Sequence, residues 1–144
     1  MNYAMIRYLI GWMLGVESVF LLLPTLTAVI YQENVVTAYL GAAAICLAFA
    51  ALFCHKRPAN PRFYAREGFV TVALCWIVLA VTGALPFLFS GEIPSVVDAL
   101  FETISGFTTT GSTIVTDVEA LSHAALLWRS LTHWVGGMGV LVFM

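Results

Sequence analysis

Three consecutive threonines followed by a glycine, Thr108-Thr109-Thr110-Gly111, are the residues of this 144-residue chain best suited to chemistry by type and spacing. They close the run that starts at Phe101-Glu102-Thr103 and lead into Ser112 and Thr113. Threonines at successive positions put hydroxyls and backbone carbonyls on one short strip. Gly111 can adopt φ > 0, so neighbouring carbonyls can turn toward a common axis. Rings of such oxygens replace the water shell of a potassium ion in selectivity filters. The chemistry on offer is coordination of a cation. On the same stretch, Glu92, Asp117 and Glu119 stand without any Lys or Arg between Gly91 and His123. That charge suits a cation entrance, and it suits a plain solvated loop equally well.

Other kinds of chemistry have less support. Cys46, Cys54 and Cys75 sit in or at the ends of apolar runs with no C-x-x-C spacing. They read as small buried residues, not a disulfide framework or zinc site. His55, His123 and His133 share no ligand-like spacing, so a membrane redox or metal enzyme built on them is the weaker rival. No nucleophile–base pair and no phosphate-binding glycine loop is present, and no enzyme is expected. A net charge of −2 argues against nucleic acid, which calls for a basic face.

The elements that hold the threonines must lie in a membrane. The chain is 61 % hydrophobic and 10 % charged, against about 25 % charged in soluble domains. A spanning helix needs roughly 20 apolar residues. Tyr8 to Tyr31, Val35 to Cys54 and Gly68 to Ser90 meet that length, the first interrupted by Glu17 and Pro24. The first is too long for the h-region of a cleaved signal peptide and has no A-x-A site after it. A fourth apolar stretch runs from Ala124 to Met144. Its last 14 residues, from Leu131, cover about 21 Å, short of a hydrocarbon core of about 30 Å. The expectation is therefore a helix that continues in a longer protein.

Between the third and fourth segments, Val96 to Phe107 carries Asp98 and Glu102 and is too short to span. It reads as a re-entrant helix, entering and leaving from one side. Ser95 and Asp98 have the spacing of a capping box that starts this helix. The β-branched threonines end it, aided by Gly106, so its negative C-terminal dipole end points at residues 108–111. Arg7, Lys56, Arg57, Arg62 and Arg66 put the N-terminus and the 58–67 loop on the cytoplasmic side by the positive-inside rule. The re-entrant helix then dips in from outside.

Four further residue sets carry expectations. Glu17, a carboxylate inside a span, is expected to pair with a polar group on a neighbouring helix. Gly11 and Gly15 form a G-x-x-x-G suited to close packing within the chain. Arg129 and His133, at i and i+4, could brace the threonine segment through Glu102 or other acidic residues, or could snorkel to the interface. Trp128, Arg129, His133 and Trp134 together read as an interfacial belt.

Several stretches resemble the Trk/Ktr/HKT superfamily of potassium transporters, most closely its TrkH-type membrane subunits. They are Arg66-Glu67-Gly68-Phe69, Gly83-Ala84-Leu85-Pro86-Phe87, Asp98-Ala99-Leu100-Phe101-Glu102, Ser105 to Gly111, and Trp134-Val135-Gly136-Gly137-Met138-Gly139. The resemblance implies an all-α membrane protein: a leading transmembrane helix pair (1–57), a cytoplasmic loop (58–67) and a channel-like repeat (68–144). That repeat divides into M1 (68–90), pore helix (96–107), filter (108–113) and the start of M2 (124–144). It would be one of four such repeats around one pore. By the same likeness Thr109 and Thr110 offer carbonyl ligands to K⁺, Thr108 and Gly111 complete the strand, and Glu102 with Arg129 supports it. The resemblance further implies potassium uptake across a bacterial inner membrane, K⁺ as the transported ion and no organic cofactor. Homodimerisation of the full-length protein and a cytoplasmic nucleotide-binding regulatory subunit complete the implied partners, besides membrane lipid. A small homotetrameric channel and a non-transporting scaffold are the rival readings.

Overall fold

The computed structural model describes residues 3–56 and 64–143, with side chains to Gly139. Residues 58–63 of the expected cytoplasmic loop, with Arg57 and Arg62, lie outside the described residues. Five α-helices follow in order: α1 (Tyr3–Ile30), α2 (Val36–Cys54), α3 (Ala65–Ser90), α4 (Val96–Phe107) and α5 (His123–Phe143). A 3-10 turn, Val118–Ala120, precedes α5. Among the described residues α1, α2 and α3 are long and apolar enough to cross a membrane. They keep large apolar side chains such as Val19, Leu26, Leu52 and Ile77 exposed, as a hydrocarbon solvent allows.

Hydropathy places helix ends less well than it places spans. Helix α1 begins at Tyr3, five residues before the apolar run, and α3 begins at Ala65, three residues early. The N–H of Tyr64 donates to Glu67 Oε2 at 3.2 Å, so a polar cap and not the apolar boundary sets the start of α3. Pro24 and Pro86 lie inside continuous helices. The expected interruption at Pro24 does not break α1.

α1 packs against α2, α3 and α5, while α4 lies between α3 and α5. One core cluster joins Leu21, Tyr39, Cys46, Phe87, Ala99 and Trp128, gathering all five helices. A second joins Ile6, Ile10, Leu14, Ala50 and Cys75 toward the N-terminal end of α1. Gly11 is pressed against Phe53 and Cys54 of α2, so the G-x-x-x-G serves packing within the chain.

The short helix has the bounds expected of it. Twelve residues rise about 18 Å, too little to cross. Ser95 Oγ accepts the Asp98 N–H at 3.4 Å. Gly106 does not loosen the end of α4: it is buried within the helix against Thr132 of α5. One turn further along α5, a Cβ at Gly136 would fall into the carbonyl of Phe107. The end of α4 therefore rests on the bare backbone of α5.

Candidate ion-binding segment and its support

The segment after α4 owes its shape to where its N–H groups go. The N–H of Thr109 donates to Gly106 O at 2.9 Å, and those of Thr110 and Gly111 to Ser105 O at 3.0 and 3.5 Å. In a trans peptide the N–H and the preceding C=O point in opposite directions. Tying three successive N–H groups back to the end of α4 therefore turns the carbonyls of Thr108, Thr109 and Thr110 away from it. None of these carbonyls accepts a hydrogen bond from a described residue, and residues 108–114 are exposed. Sustaining this requires two left-handed residues, Thr109 at φ 57° and Gly111 at φ 77°. Glycine accepts that conformation freely, while a β-branched threonine there is a genuine outlier. Such strain persists only where surrounding contacts over-determine it.

Those contacts come from behind. Ser105 Oγ donates to Ser112 O at 2.5 Å. Glu102 Oε2 accepts from the Thr113 hydroxyl at 2.9 Å and from the Ile114 N–H at 3.2 Å. Its other oxygen, Oε1, takes Arg129 Nε of α5 at 2.5 Å, with Glu102 2 % and Arg129 16 % exposed. Of the two roles open to Arg129, bracing is the one the geometry adopts. His133 does not join it: its ring faces the Arg129 carbonyl of its own helix at 2.8 Å.

Two threonine hydroxyls are engaged within the segment: Thr108 Oγ1 donates to Ile104 O at 2.7 Å and meets Thr110 Oγ1 at 2.8 Å. One sequence expectation needs correction here. Trp128 is not interfacial but 2 % exposed, with Nε1 donating to Gly83 O at 2.9 Å. Its flat apolar ring fills the space between α3 and α5, and the indole N–H finds a helix carbonyl.

A further set of residues escaped the sequence reading. Glu33, in the turn between α1 and α2, reaches the N-terminus of α5: Oε1 accepts the His123 N–H at 2.7 Å and Oε2 the Ala124 N–H at 3.2 Å. The His123 ring meets Glu33 Oε1 at 2.9 Å and stacks on Tyr31 with centroids 4.0 Å apart. Glu92, from the α3–α4 turn, accepts the Ser122 N–H at 2.6 Å. Acidic residues in two separate loops thus cap one helix N-terminus. The only sequence signal was an acid in a short turn, with its partner 90 residues away.

Partial burial alone would raise the Glu33 pKa, but the bonds to His123 and Ala124 outweigh it and hold it below the ordinary value of 4.5. A depressed folded-state pKa stabilises above the unfolded value, and that stability is lost as pH falls through the folded one. Acidification below about pH 5 is therefore expected to weaken this latch, by about 1 kcal/mol once Glu33 is fully protonated, the worth of one cap. Thermal melts of the wild type and Glu33→Gln across that range check it: the two should converge at the acid end.

The comparisons with known proteins agree with one another. A profile of the family described as "TrkH: Cation transport protein" matches residues 34–144. The Trk system potassium uptake protein TrkH of Salmonella typhimurium is 38 % identical over 145 residues, covering 99 % of this chain and 30 % of that protein. Its Escherichia coli K12 counterpart is 37 % identical with the same coverage. The crystal structure of the potassium transporter TrkH from Vibrio parahaemolyticus superposes with a TM-score of 0.92 at 34 % identity, over 99 % of this chain and 31 % of that one. The chain spans about 30 % of the length of the curated relatives it matches.

Proposed function

The chain belongs to the TrkH family of cation transport proteins, and on that premise we propose that it supplies one strand of a potassium-selective pore for uptake across a bacterial inner membrane. The observation that carries this reading is the trio of unpartnered carbonyls on Thr108, Thr109 and Thr110, turned together away from α4. Thr109 and Thr110 give K⁺ its carbonyl ligands, Thr108 and Gly111 complete the strand, and Glu102 with Arg129 holds it from behind. The C-terminal end of α4 adds about half an elementary negative charge behind the segment. An ion stripped of its water needs oxygens from several directions, and one strand offers one direction. The remaining strands come from further repeats of the full-length protein.

In this reading residues 1–57 are a leading helix pair, 58–67 a cytoplasmic loop and 68–144 the first channel-like repeat. The N-terminus is cytoplasmic, because the basic residues flank the ends of α1, α2 and α3 opposite to α4. The full-length protein works as a homodimer in the lipid bilayer with a cytoplasmic nucleotide-binding subunit. Its work is transport, not bond chemistry.

The test is Rb⁺ uptake by the full-length protein in a bacterium that lacks its own potassium uptake. Expected is saturable uptake that excess K⁺ suppresses and excess Na⁺ does not. Equal suppression by both ions would remove potassium selectivity from the proposal. Absence of uptake with the candidate cytoplasmic subunit co-expressed would remove transport itself.

A further inference from the structure

We propose that Glu17 is a neutral carboxylic acid, a proton-holding site inside the membrane that ties α1 to α3 directly behind the end of α4. Glu17 is 4 % exposed, midway along α1. Its Oε2 lies 2.6 Å from the hydroxyl of Thr82 on α3 and 3.9 Å from Cys46 Sγ on α2. Its Oε1 is buried without a hydrogen-bond partner.

The assignment follows from counting hydrogens. The Thr82 hydroxyl lies 2.6 Å from Glu17 Oε2 and 2.8 Å from Val78 O, and it owns one hydrogen. With an ionised Glu17, two acceptors would compete for that hydrogen, and one short contact would be oxygen against oxygen. Helical threonines elsewhere in the chain favour the backbone acceptor. Thr25, Thr71 and Thr103 donate to the carbonyl four residues earlier at 2.7 to 2.8 Å, Thr27 does so at 3.2 Å, and Thr132 donates to the carbonyl three residues earlier at 2.7 Å. Thr82 does the same toward Val78. The hydrogen in the 2.6 Å contact therefore belongs to Glu17, whose O–H donates to Thr82 Oγ1.

Among the described residues the surroundings hold no charge to balance an anion. Arg7 stands ten residues earlier on α1, about 15 Å along the axis. Arg66 and Glu67 open α3, fifteen or more residues before Thr82. On α4 and α5, Glu102 and Arg129 pair with each other, and the His133 ring faces the Arg129 carbonyl. Cys46 of α2 offers a weak thiol. A carboxylate buried with an orphan oxygen and no cation is costly, and a neutral acid escapes most of that cost.

Location gives the site its consequence. Gly83, next to Thr82, is where α1, α3, α4 and α5 meet. A Cβ there would lie 2.8 Å from Thr103, 3.0 Å from Phe107 and 3.2 Å from Glu17 Oε1, and the Gly83 carbonyl takes the Trp128 indole N–H. The protonated acid thus positions the glycine on which the end of α4 rests.

Infrared difference spectroscopy on the full chain in membranes, wild type minus Glu17→Gln, tests this without any need for transport. Expected is a protonated-carboxyl stretch, constant from mildly acidic to neutral pH. Thr82→Val should shift it to higher frequency, and Thr82→Ser should leave it in place. Loss of an ionised-carboxylate band in place of the acid band would overturn the proposal. So would an acid band that Thr82→Val leaves unmoved. If Glu17→Gln does not accumulate, the comparison of the two Thr82 variants carries the same decision.

Discussion

Replacing Gly111 with alanine is expected to leave a folded protein that has lost most of its preference for K⁺. Nothing lies within 4 Å of the position a Cβ would take at Gly111, so the substitution meets no steric obstacle in this chain. The cost is conformational. At φ 77° an L-residue pays roughly 1–2 kcal/mol, too little to unfold the helical core behind it. The chain can relieve that strain by rotating the peptide at residue 111, which turns the Thr110 carbonyl out of line with those of Thr108 and Thr109. Losing about 1.4 kcal/mol of ion coordination changes an affinity tenfold. The expected readout is therefore a fall of about tenfold in K⁺-over-Na⁺ selectivity of Rb⁺ uptake, with unchanged protein level and melting temperature. Uptake and selectivity equal to wild type would mean that residues 108–111 do not face the ion path. A parallel loss of protein and uptake would point to a structural role for Gly111.

Local physics made the helices and the position of the threonine segment legible in the sequence. The bounds of α4 were readable because Ser95 and Asp98 supply a start and the threonines a stop within twelve residues. The direction of the three carbonyls was not readable. It depends on Ser105 O receiving two N–H groups at once, a detail of chain reversal that no periodicity encodes. The pairing of Glu102 with Arg129 was visible only as one of two alternatives, because its residues are 27 apart and a snorkelling arginine has the same pattern. The Glu33 cap on α5 was invisible for a stronger version of that reason. Trp128 misled because tryptophan next to arginine and histidine looks interfacial, while the indole is buried and its N–H donates to the Gly83 carbonyl. Glycines did more than sequence alone reveals: at Gly83, Gly106 and Gly136 a missing side chain lets helices meet at the back of the threonine segment.

Arg129→Gln is expected to be among the most destabilising single changes in the described residues, through the partner it leaves behind. Glu102 is 2 % exposed and already binds the Thr113 hydroxyl and the Ile114 N–H with its other oxygen. Without the guanidinium it is a buried charge with neutral donors alone, and breaking such a pair costs about 3–5 kcal/mol. The stranded carboxylate can gain water only by pulling away from residues 113 and 114, which releases the outer anchor of the ion-binding segment. Arg129→Lys should not rescue, because an ammonium on a flexible stem cannot reproduce the Nε contact. The double variant Glu102→Gln, Arg129→Gln should recover much of the stability, since a buried pair replaced by neutral groups is often close to neutral in energy. Apparent melting temperatures of the four proteins in detergent, with and without Rb⁺, separate the possibilities. Non-additivity of that sign places the ion pair under the segment as its support. Small, additive losses would make it an ordinary surface contact, and the strain at Thr109 would then need another restraint. Selectivity gives the second reading: the double variant should keep its fold yet discriminate K⁺ less well, because glutamine holds Thr113 and Ile114 with a neutral oxygen where wild type uses a charged one.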